Sequence, residues 1–240
     1  MGEKTCLITG ASGGIGKAVA LQLAAEGWRL VLHYNSNKEA VQELLHQLPD
    51  KCIMDVMKQD LSQHDGAHML MERLHFNIDA FVNAGGSSLF GMLQDAKSEE
   101  MDQMLNLHIK APWIIAKHVL PHMTKQQNGQ IILISSVWGE VGASHEVLYS
   151  TVKGAQNSFV KALAKEVGSS GVQVNAVSPG YIDTNMNHHF SNDEVESVIQ
   201  SIPANRPGTV EEVANFVSFL LSGRSSYING QVLGINGGWY

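Results

Sequence analysis

The chain has 240 residues, 44% of them hydrophobic and 16% charged, which excludes a disordered or fibrous protein and fits one globular domain over residues 1–240. Sixteen Lys and Arg against 23 Asp and Glu leave a formal charge of −7, so no nucleic-acid partner is expected, because the basic surface that neutralises phosphates is missing. Cys6 and Cys52 are the only cysteines and no stretch approaches the roughly 18 apolar residues of a membrane span, so the expectation is a cytoplasmic protein with reduced thiols and no membrane attachment.

In chain order, the apolar run KTCLIT at residues 4–9 reads as a strand. A glycine-rich turn follows, then a helix from residue 14 to about 26 with Val19, Leu21 and Leu23 among its apolar positions. RLVLHY at 29–34 is a second strand, 38–47 a second helix and 52–56 a third strand. Apolar runs at 78–82, 131–135, 172–177 and 231–235 are separated by segments long enough for crossover helices. Seven continuously apolar strands alternating with helices predict an α/β fold, a doubly wound parallel sheet with helices on both faces and right-handed crossovers. Residues 181–207, before a helix at 210–221, are weakly patterned and contain His188, His189, Pro203 and Pro207. They are the expected substrate-binding lid, lying beyond a strand's carboxyl end.

Thr9-Gly10-Ala11-Ser12-Gly13-Gly14-Ile15-Gly16 joins the first strand to the first helix. Its Gly-x-x-x-Gly-x-Gly spacing differs from G-x-G-x-x-G and by itself requires only a tight connection. After the first strand of a parallel sheet, however, such a turn brings main chain and a helix N-terminus up to a pyrophosphate. Thr9, Gly10, Ser12, Gly14, Ile15 and Gly16 are therefore candidate coenzyme contacts. The second strand ends His33-Tyr34-Asn35-Ser36-Asn37, without the carboxylate that would repel a 2′-phosphate. Asn35 and Ser36 are candidates to bond that phosphate, which favours NADP(H), and an ordinary polar loop is the plain alternative. Asp60 either reaches the adenine or caps a helix. Asn83, Ala84 and Gly85 end the fourth strand with small residues against which a coenzyme can lie.

Ser136, Tyr149 and Lys153 form the second constellation. Tyr149 and Lys153 are spaced i, i+4 and share one face of a helix beginning near Val147, while Ser136 closes the fifth strand thirteen residues before Tyr149. A phenol titrates near ~10 and is a poor acid at neutral pH, and an adjacent ammonium favours its ionised form. A Tyr–Lys pair on a helix is commonly just a solvated face, but here all three groups would meet at the carboxyl end of the sheet.

TGASGGIG from Thr9, NAG at Asn83, Ser136, YSTVK from Tyr149 to Lys153 and NAVSPGYIDT from Asn175 together resemble the ordered motifs of the short-chain dehydrogenase/reductase family over nearly the whole chain. The resemblance implies a single Rossmann-type domain, a nicotinamide coenzyme and a homotetramer. It implies Tyr149 as acid/base, Lys153 on the nicotinamide ribose and lowering the Tyr149 pKa, and Ser136 on the substrate carbonyl. Pro179, Gly180, Ile182 and Thr184 match the stretch that flanks the nicotinamide carboxamide and phosphates. The reaction implied is reduction of a ketone to a secondary alcohol.

The chain departs from the family at His108, which occupies the usual position of a fourth catalytic residue, an asparagine. Asn106 is two residues early, roughly 200° around a helix. An imidazole either replaces the proton relay or is a packed helix histidine. His64, His68, His75, His118 and His122 have no metal-ligand spacing, and no metal is expected. Trp113, Ile114 and Phe159 exceed a single apolar stripe, either for a subunit interface or for the core.

Among similar bacterial proteins, 3-oxoacyl-acyl-carrier-protein reductases dock an acidic carrier with basic residues at two loop positions, which here are Gln127 and Ser170. The segment from Ser135 to Glu166, with His108, resembles a Gram-positive branch assigned to reduction of 5-aminopentanone-modified elongation factor P. Both protein-borne ketones stay open as substrates. A nicotinamide-binding sensor or partner protein with little turnover is the alternative from another class, since fold alone permits it.

Overall fold

The structure is a computed structural model describing residues 3–184 and 192–240. Seven strands, β1 (Thr5–Thr9), β2 (Arg29–Tyr34), β3 (Ile53–Lys58), β4 (Ala80–Asn83), β5 (Gly129–Ile134), β6 (Val172–Pro179) and β7 (Val232–Ile235), form one sheet in the order β3-β2-β1-β4-β5-β6-β7. Every pairing is parallel. The helices are α1 (Gly14–Ala25), α2 (Lys38–Gln47), α3 (Gly66–Glu72), α4 (Ser98–Leu105), α5 (Ala111–Lys125), α6 (Trp138–Val141), α7 (Val147–Val167), α8 (Asn192–Ser201) and α9 (Val210–Leu221). A π-helical turn, Asn106–Lys110, joins α4 to α5.

The central strands are mostly apolar because both of their faces are covered, whereas the edge strands β3 and β7 are only partly buried. Successive side chains alternate between faces. Leu7, Val31, Phe81, Ile131 and Leu133 pack with α3, α5 and α7 residues such as Leu70, Ile115 and Val160. Their neighbours Ile8, Leu30, Leu32, Val82 and Ile132 pack with Val19 and Leu23 of α1 and Val213 and Val217 of α9. Each fully buried Leu, Ile or Val side chain contributes about 1.5–3 kcal/mol. Cys6 and Cys52 are buried free thiols.

The strand order reverses at β1, which pairs β2 on one side and β4 on the other. Connections leave in opposite directions there, opening a crevice at the carboxyl ends of β1 and β4. The expected lid contains a helix that weak patterning did not announce, α8, with Asp193 and Glu194 in its first turn favouring the helix dipole. Residues 185–191, including His188 and His189, lie outside the described residues. The base of this segment is closed: Gly208 N–H donates to Tyr181 O at 2.9 Å and Asp183 N–H to Gly208 O at 3.0 Å.

Candidate active site

A cleft of about 860 Å³ runs along the carboxyl ends of the strands. On one side its wall is main chain. Gly10 has φ +72°, and a Cβ there would lie 2.6 Å from Gly85 Cα; a Cβ on Gly16 would lie 2.2 Å from Gly10 O. Only hydrogen at these positions lets the first turn of α1 close against the β1–β4 crossing. Gly10, Ser12, Gly14, Ile15 and Gly16 all line the cleft. The cap of α1, Gly13, has no side-chain hydrogen bond and its first turn carries no acid, so the first N–H groups of α1 suit an anion. A dinucleotide pyrophosphate fits this cradle.

Other candidates divide into those on the wall and those behind it. Ala84, Gly85, Pro179, Gly180, Ile182 and Thr184 line the cleft. Thr9 and Asn83 are buried behind it, where Thr9 Oγ1 donates to Asn83 Oδ1 at 2.8 Å and ties β1 to β4. Asn35 reaches the wall, but Ser36 does not, and Asn37 takes its place while also capping α2 by accepting from Ala40 N–H at 3.0 Å. The chain turns at Ser36, whose carbonyl accepts from Lys38 N–H. Asp60 lines the cleft but does not cap α3, which follows Asp65. It closes a turn, accepting from Ser62 N–H at 2.9 Å, Ser62 Oγ at 2.6 Å and Gln63 Nε2 at 3.0 Å. Against the upward push of burial, these bonds hold its carboxyl below the usual range.

His33 also lines the cleft, although no motif in the sequence marks it. Buried at the end of β2, it lies with Nδ1 3.3 Å from Gly10 N and Nε2 2.8 Å from Gln59 O. Those partners assign the tautomer: Gly10 N–H donates to Nδ1, and Nε2–H donates to the Gln59 carbonyl. The ring thereby braces the glycine turn against the segment leading to Asp60. Burial drives its pKa down to about 4, against the Gln59 bond and the Asp60 charge. Its only sequence signal was its place at a strand's carboxyl end.

On the opposite side the wall is made of buried side chains. Ser136, Tyr149 and Lys153 all line the cleft. The carboxyl end of β5 and α7 are pinned together, with Ser135 Oγ donating to Asn157 Oδ1 at 2.6 Å and Asn157 Nδ2 to Gly139 O at 3.1 Å. Ser136 Oγ accepts from Trp138 N–H at 3.2 Å and is hydrogen-bonded with the Tyr149 side chain. Lys153 Nζ donates to Ile134 O at 2.8 Å and lies 5.4 Å from the Tyr149 ring centre.

Electrostatics here differ from the resemblance's implication that Lys153 lowers the Tyr149 pKa. Burial pushes Tyr149 up to about 12, outweighing the Ser136 bond, with the Glu146 charge adding to the rise. Burial also brings Lys153 down to about 7. Desolvation dominates both groups.

His108 is brought beside this pair but sits behind the wall, fully buried. A Cβ on Gly86 would lie 3.0 Å from His108 Cε1 and 3.8 Å from Lys153 Nζ. Nε2 is 2.9 Å from Ser87 O, and Nδ1 has no hydrogen-bond partner among the described residues. The His108 and Tyr149 rings meet edge to face with centroids 5.9 Å apart. Burial and then the Lys153 charge depress its pKa to about 3. The π-helical turn also presents the His108 carbonyl to Gln156 Nε2 of α7 at 2.8 Å. Asn106 faces away, as its rotation predicts, donating from Nδ2 to Ser62 O at 3.0 Å. Among the described residues no group of three His, Cys, Asp or Glu is placed to hold a metal ion.

A family model described as enoyl-(acyl carrier protein) reductase, adh_short_C2, matches residues 10–240. This chain belongs to the short-chain dehydrogenase/reductase family. The oxidoreductase YmfI of Bacillus subtilis is 46% identical over 240 residues, covering 99% of each chain. The 3-oxoacyl-[acyl-carrier-protein] reductase FabG of Thermotoga maritima is 36% identical, covering 98% of this chain and 97% of its own. A crystal structure with bound NADP, named for an NAD(P)-dependent gluconate 5-dehydrogenase of Beutenbergia cavernae, is similar at a TM-score of 0.91 and 29% identity. It covers 98% of this chain and 96% of that one. The chain is thus an oxidoreductase of this family with the expected seven-stranded, single-domain Rossmann-type architecture.

Proposed function

We propose that this protein is an NADP(H)-dependent reductase that converts a ketone to a secondary alcohol. The observation that carries the reading is the convergence of Ser136, Tyr149 and Lys153 on the same cleft as the uncapped, acid-free start of α1. Ser12, Gly14, Ile15 and Gly16 would hold the pyrophosphate; Asn35 and Asn37 would meet the adenosine side, where no carboxylate follows β2 to repel a 2′-phosphate. A bound reduced nicotinamide would supply hydride.

The chain's own residues supply the proton and its control. Ser136 Oγ donates a hydrogen bond to the substrate carbonyl oxygen, and the Tyr149 hydroxyl donates a proton to that oxygen as charge develops on it. With its pKa near 12, Tyr149 keeps its proton at neutral pH until an alkoxide demands it. Lys153, anchored on Ile134 O, has a pKa near 7 and can hold or give up a proton beside Tyr149 with little penalty. His108 acts as a positioning group: its neutral ring supports Gly86 and Ser87, and burial beside Lys153 opposes the imidazolium that a relay would require.

For the substrate, the reading favours a ketone on elongation factor P over a 3-oxoacyl group on acyl carrier protein. Glu100 and Glu146 line the cleft, and among the described lining residues Lys153 is the only Lys or Arg. Gln127 and Ser170, where the carrier reductases have basic residues, are neutral; the Gln127 carbonyl adjoins Gly171, so both loops meet at one spot. A cationic amino-ketone suits this charge pattern better than an acidic carrier. Residues 181–207 are proposed as the lid. Leu105 and Trp113, both half-exposed, are proposed to lie in a homotetramer interface, with Trp113 6.2 Å from the Phe159 ring. No helix among the described residues is long and apolar enough to cross a membrane, and a cytoplasmic location fits the proposed substrate.

The test is NADPH and NADH oxidation with 5-aminopentanone-modified elongation factor P, a 3-oxoacyl carrier thioester and a simple ketone, side by side. Faster turnover of the modified factor with NADPH supports the reading. Faster turnover of the carrier thioester overturns the substrate assignment, and coenzyme binding without turnover of any ketone leaves the sensor instead.

A further inference from the structure

We propose that Trp239 is a specificity-determining residue, whose indole forms with Trp138 the wall against which an aliphatic arm of the ketone lies. The proposal rests on the reductase reading above for the identity of the ligand, and on independent geometry for the wall.

Trp138 opens α6 two residues after Ser136, and its N–H holds the Ser136 hydroxyl. Its ring packs against the apolar cluster of Met104, Ile109, Tyr149 and Val152 under the site. Trp239 comes from the far end of the sequence, yet it lines the same cleft as Trp138. The two rings meet edge to face with centroids 5.0 Å apart and planes at 63°. Edge-to-face geometry is a favoured arrangement for aromatic pairs, and it leaves an apolar surface beside the Tyr149 cluster that Trp138 packs on. Tyr240 backs it, with its ring 5.7 Å from Trp138 and 5.0 Å from Trp239.

The backbone holds Trp239 in place. Gly180 N–H donates to Ile235 O at 2.8 Å, Ala204 N–H to Gly237 O at 3.0 Å, and Asn236 closes the turn by bonding Gly238 N–H at 3.0 Å and Tyr240 O at 2.9 Å. Gly237 and Gly238 have φ of +63° and +85°, and a Cβ on Gly237 would lie 2.9 Å from Ile202 Cγ2. The segment is therefore built to approach residues 202–204, immediately after α8, and the wall is joined both to the Gly180 side of the coenzyme cleft and to the proposed lid. An aromatic wall in a cleft that Val198 of α8 also lines suits a methylene chain. Each buried methylene adds roughly threefold to fourfold in affinity.

The experiment measures kcat/KM at saturating NADPH for unbranched methyl ketones from butanone to nonanone, in the wild type, Trp239→Ala and Trp239→Phe. The wild type should gain roughly threefold to fourfold per methylene while the arm lies on the wall. Trp239→Ala should flatten that gain, and Trp239→Phe should keep part of it. If Trp239→Ala scales every ketone by one common factor, the wall is rejected while the reductase reading stands. If the wild type reduces no ketone, the reductase reading falls and nonanone titration of the NADP⁺ complex decides the wall. Tryptophan fluorescence that responds in the wild type but not in Trp239→Phe upholds the wall; an equal response, or none in the wild type, rejects it. Trp239→Phe, by retaining an aromatic ring, keeps the question open to measurement should the alanine variant fail to fold.

Discussion

The two sides of the cleft are built from different materials. Toward the proposed adenosine end, shape comes from main chain: Gly10 lies against Gly85, and Gly16 against Gly10, so closely that neither Gly10 nor Gly16 admits a Cβ, and α1 offers bare N–H groups. Toward the proposed carbonyl end, the wall is made of polar side chains taken out of water, with Tyr149, Lys153 and His108 all displaced in pKa by their own burial. The first side is governed by sterics and the second by desolvation, so substitutions on the two sides should fail in different ways.

The largest effect expected is at the carbonyl end. Tyr149→Phe removes one hydroxyl and its hydrogen bond with Ser136, and turnover should fall by ~10²–10⁴-fold. The unfolding midpoint should move by no more than about 4 °C, since a single buried hydrogen bond contributes roughly 1 kcal/mol. Steady-state NADPH oxidation and a thermal melt check both parts, and retained turnover would remove Tyr149 as the acid.

On the steric side, Gly10→Ala should fail through fold and coenzyme together. Its φ of +72° and the 2.6 Å approach to Gly85 predict a loss of about 1–3 kcal/mol in urea unfolding and weaker NADPH binding by at least about tenfold. Wild-type NADPH affinity in a titration would show that the glycine turn is not the coenzyme cradle.

His33 joins the two principles, a desolvated side chain that braces a backbone-built wall. Its folded pKa of about 4 lies below its unfolded value near ~6.5. Between those values the unfolded chain binds more protons, so stability is whole above about pH 6.5 and declines as pH falls toward 4. His33→Asn should lose part of that acid sensitivity. Urea denaturation curves from pH 7 to pH 4 compare the slopes, and parallel slopes would contradict a buried neutral imidazole. The smallest effect expected is for His108→Asn, a fall in kcat of a fewfold without movement of the pH–rate limbs, because a ring with a pKa near 3 does not titrate in the working range. A displaced limb would restore the proton relay.

Much of the fold was legible because a parallel strand covered on both faces is apolar at most positions, and β2, α2 and α9 fall on their expected residues. Edges were less legible. The third strand begins at Ile53 after a short 3₁₀ turn, and α8 escaped notice because its apolar positions are few. At the site, Ser36 was expected on the wall and Asn37 stands there instead, a one-residue difference set by where the chain turns into α2.

Residue order by itself determined which groups could act: a glycine-rich turn after a first strand, and a Tyr and Lys one helical turn apart, are local patterns whose geometry follows from nearby backbone. Only tertiary structure decided what surrounds them. It put His33 against Gly10, His108 behind Gly86, and Trp239 across from Trp138. It also buried Tyr149 and Lys153, which pushes the phenol up and the ammonium down. Desolvation and contacts between distant segments depend on what the packed chain excludes from water, which no local pattern specifies.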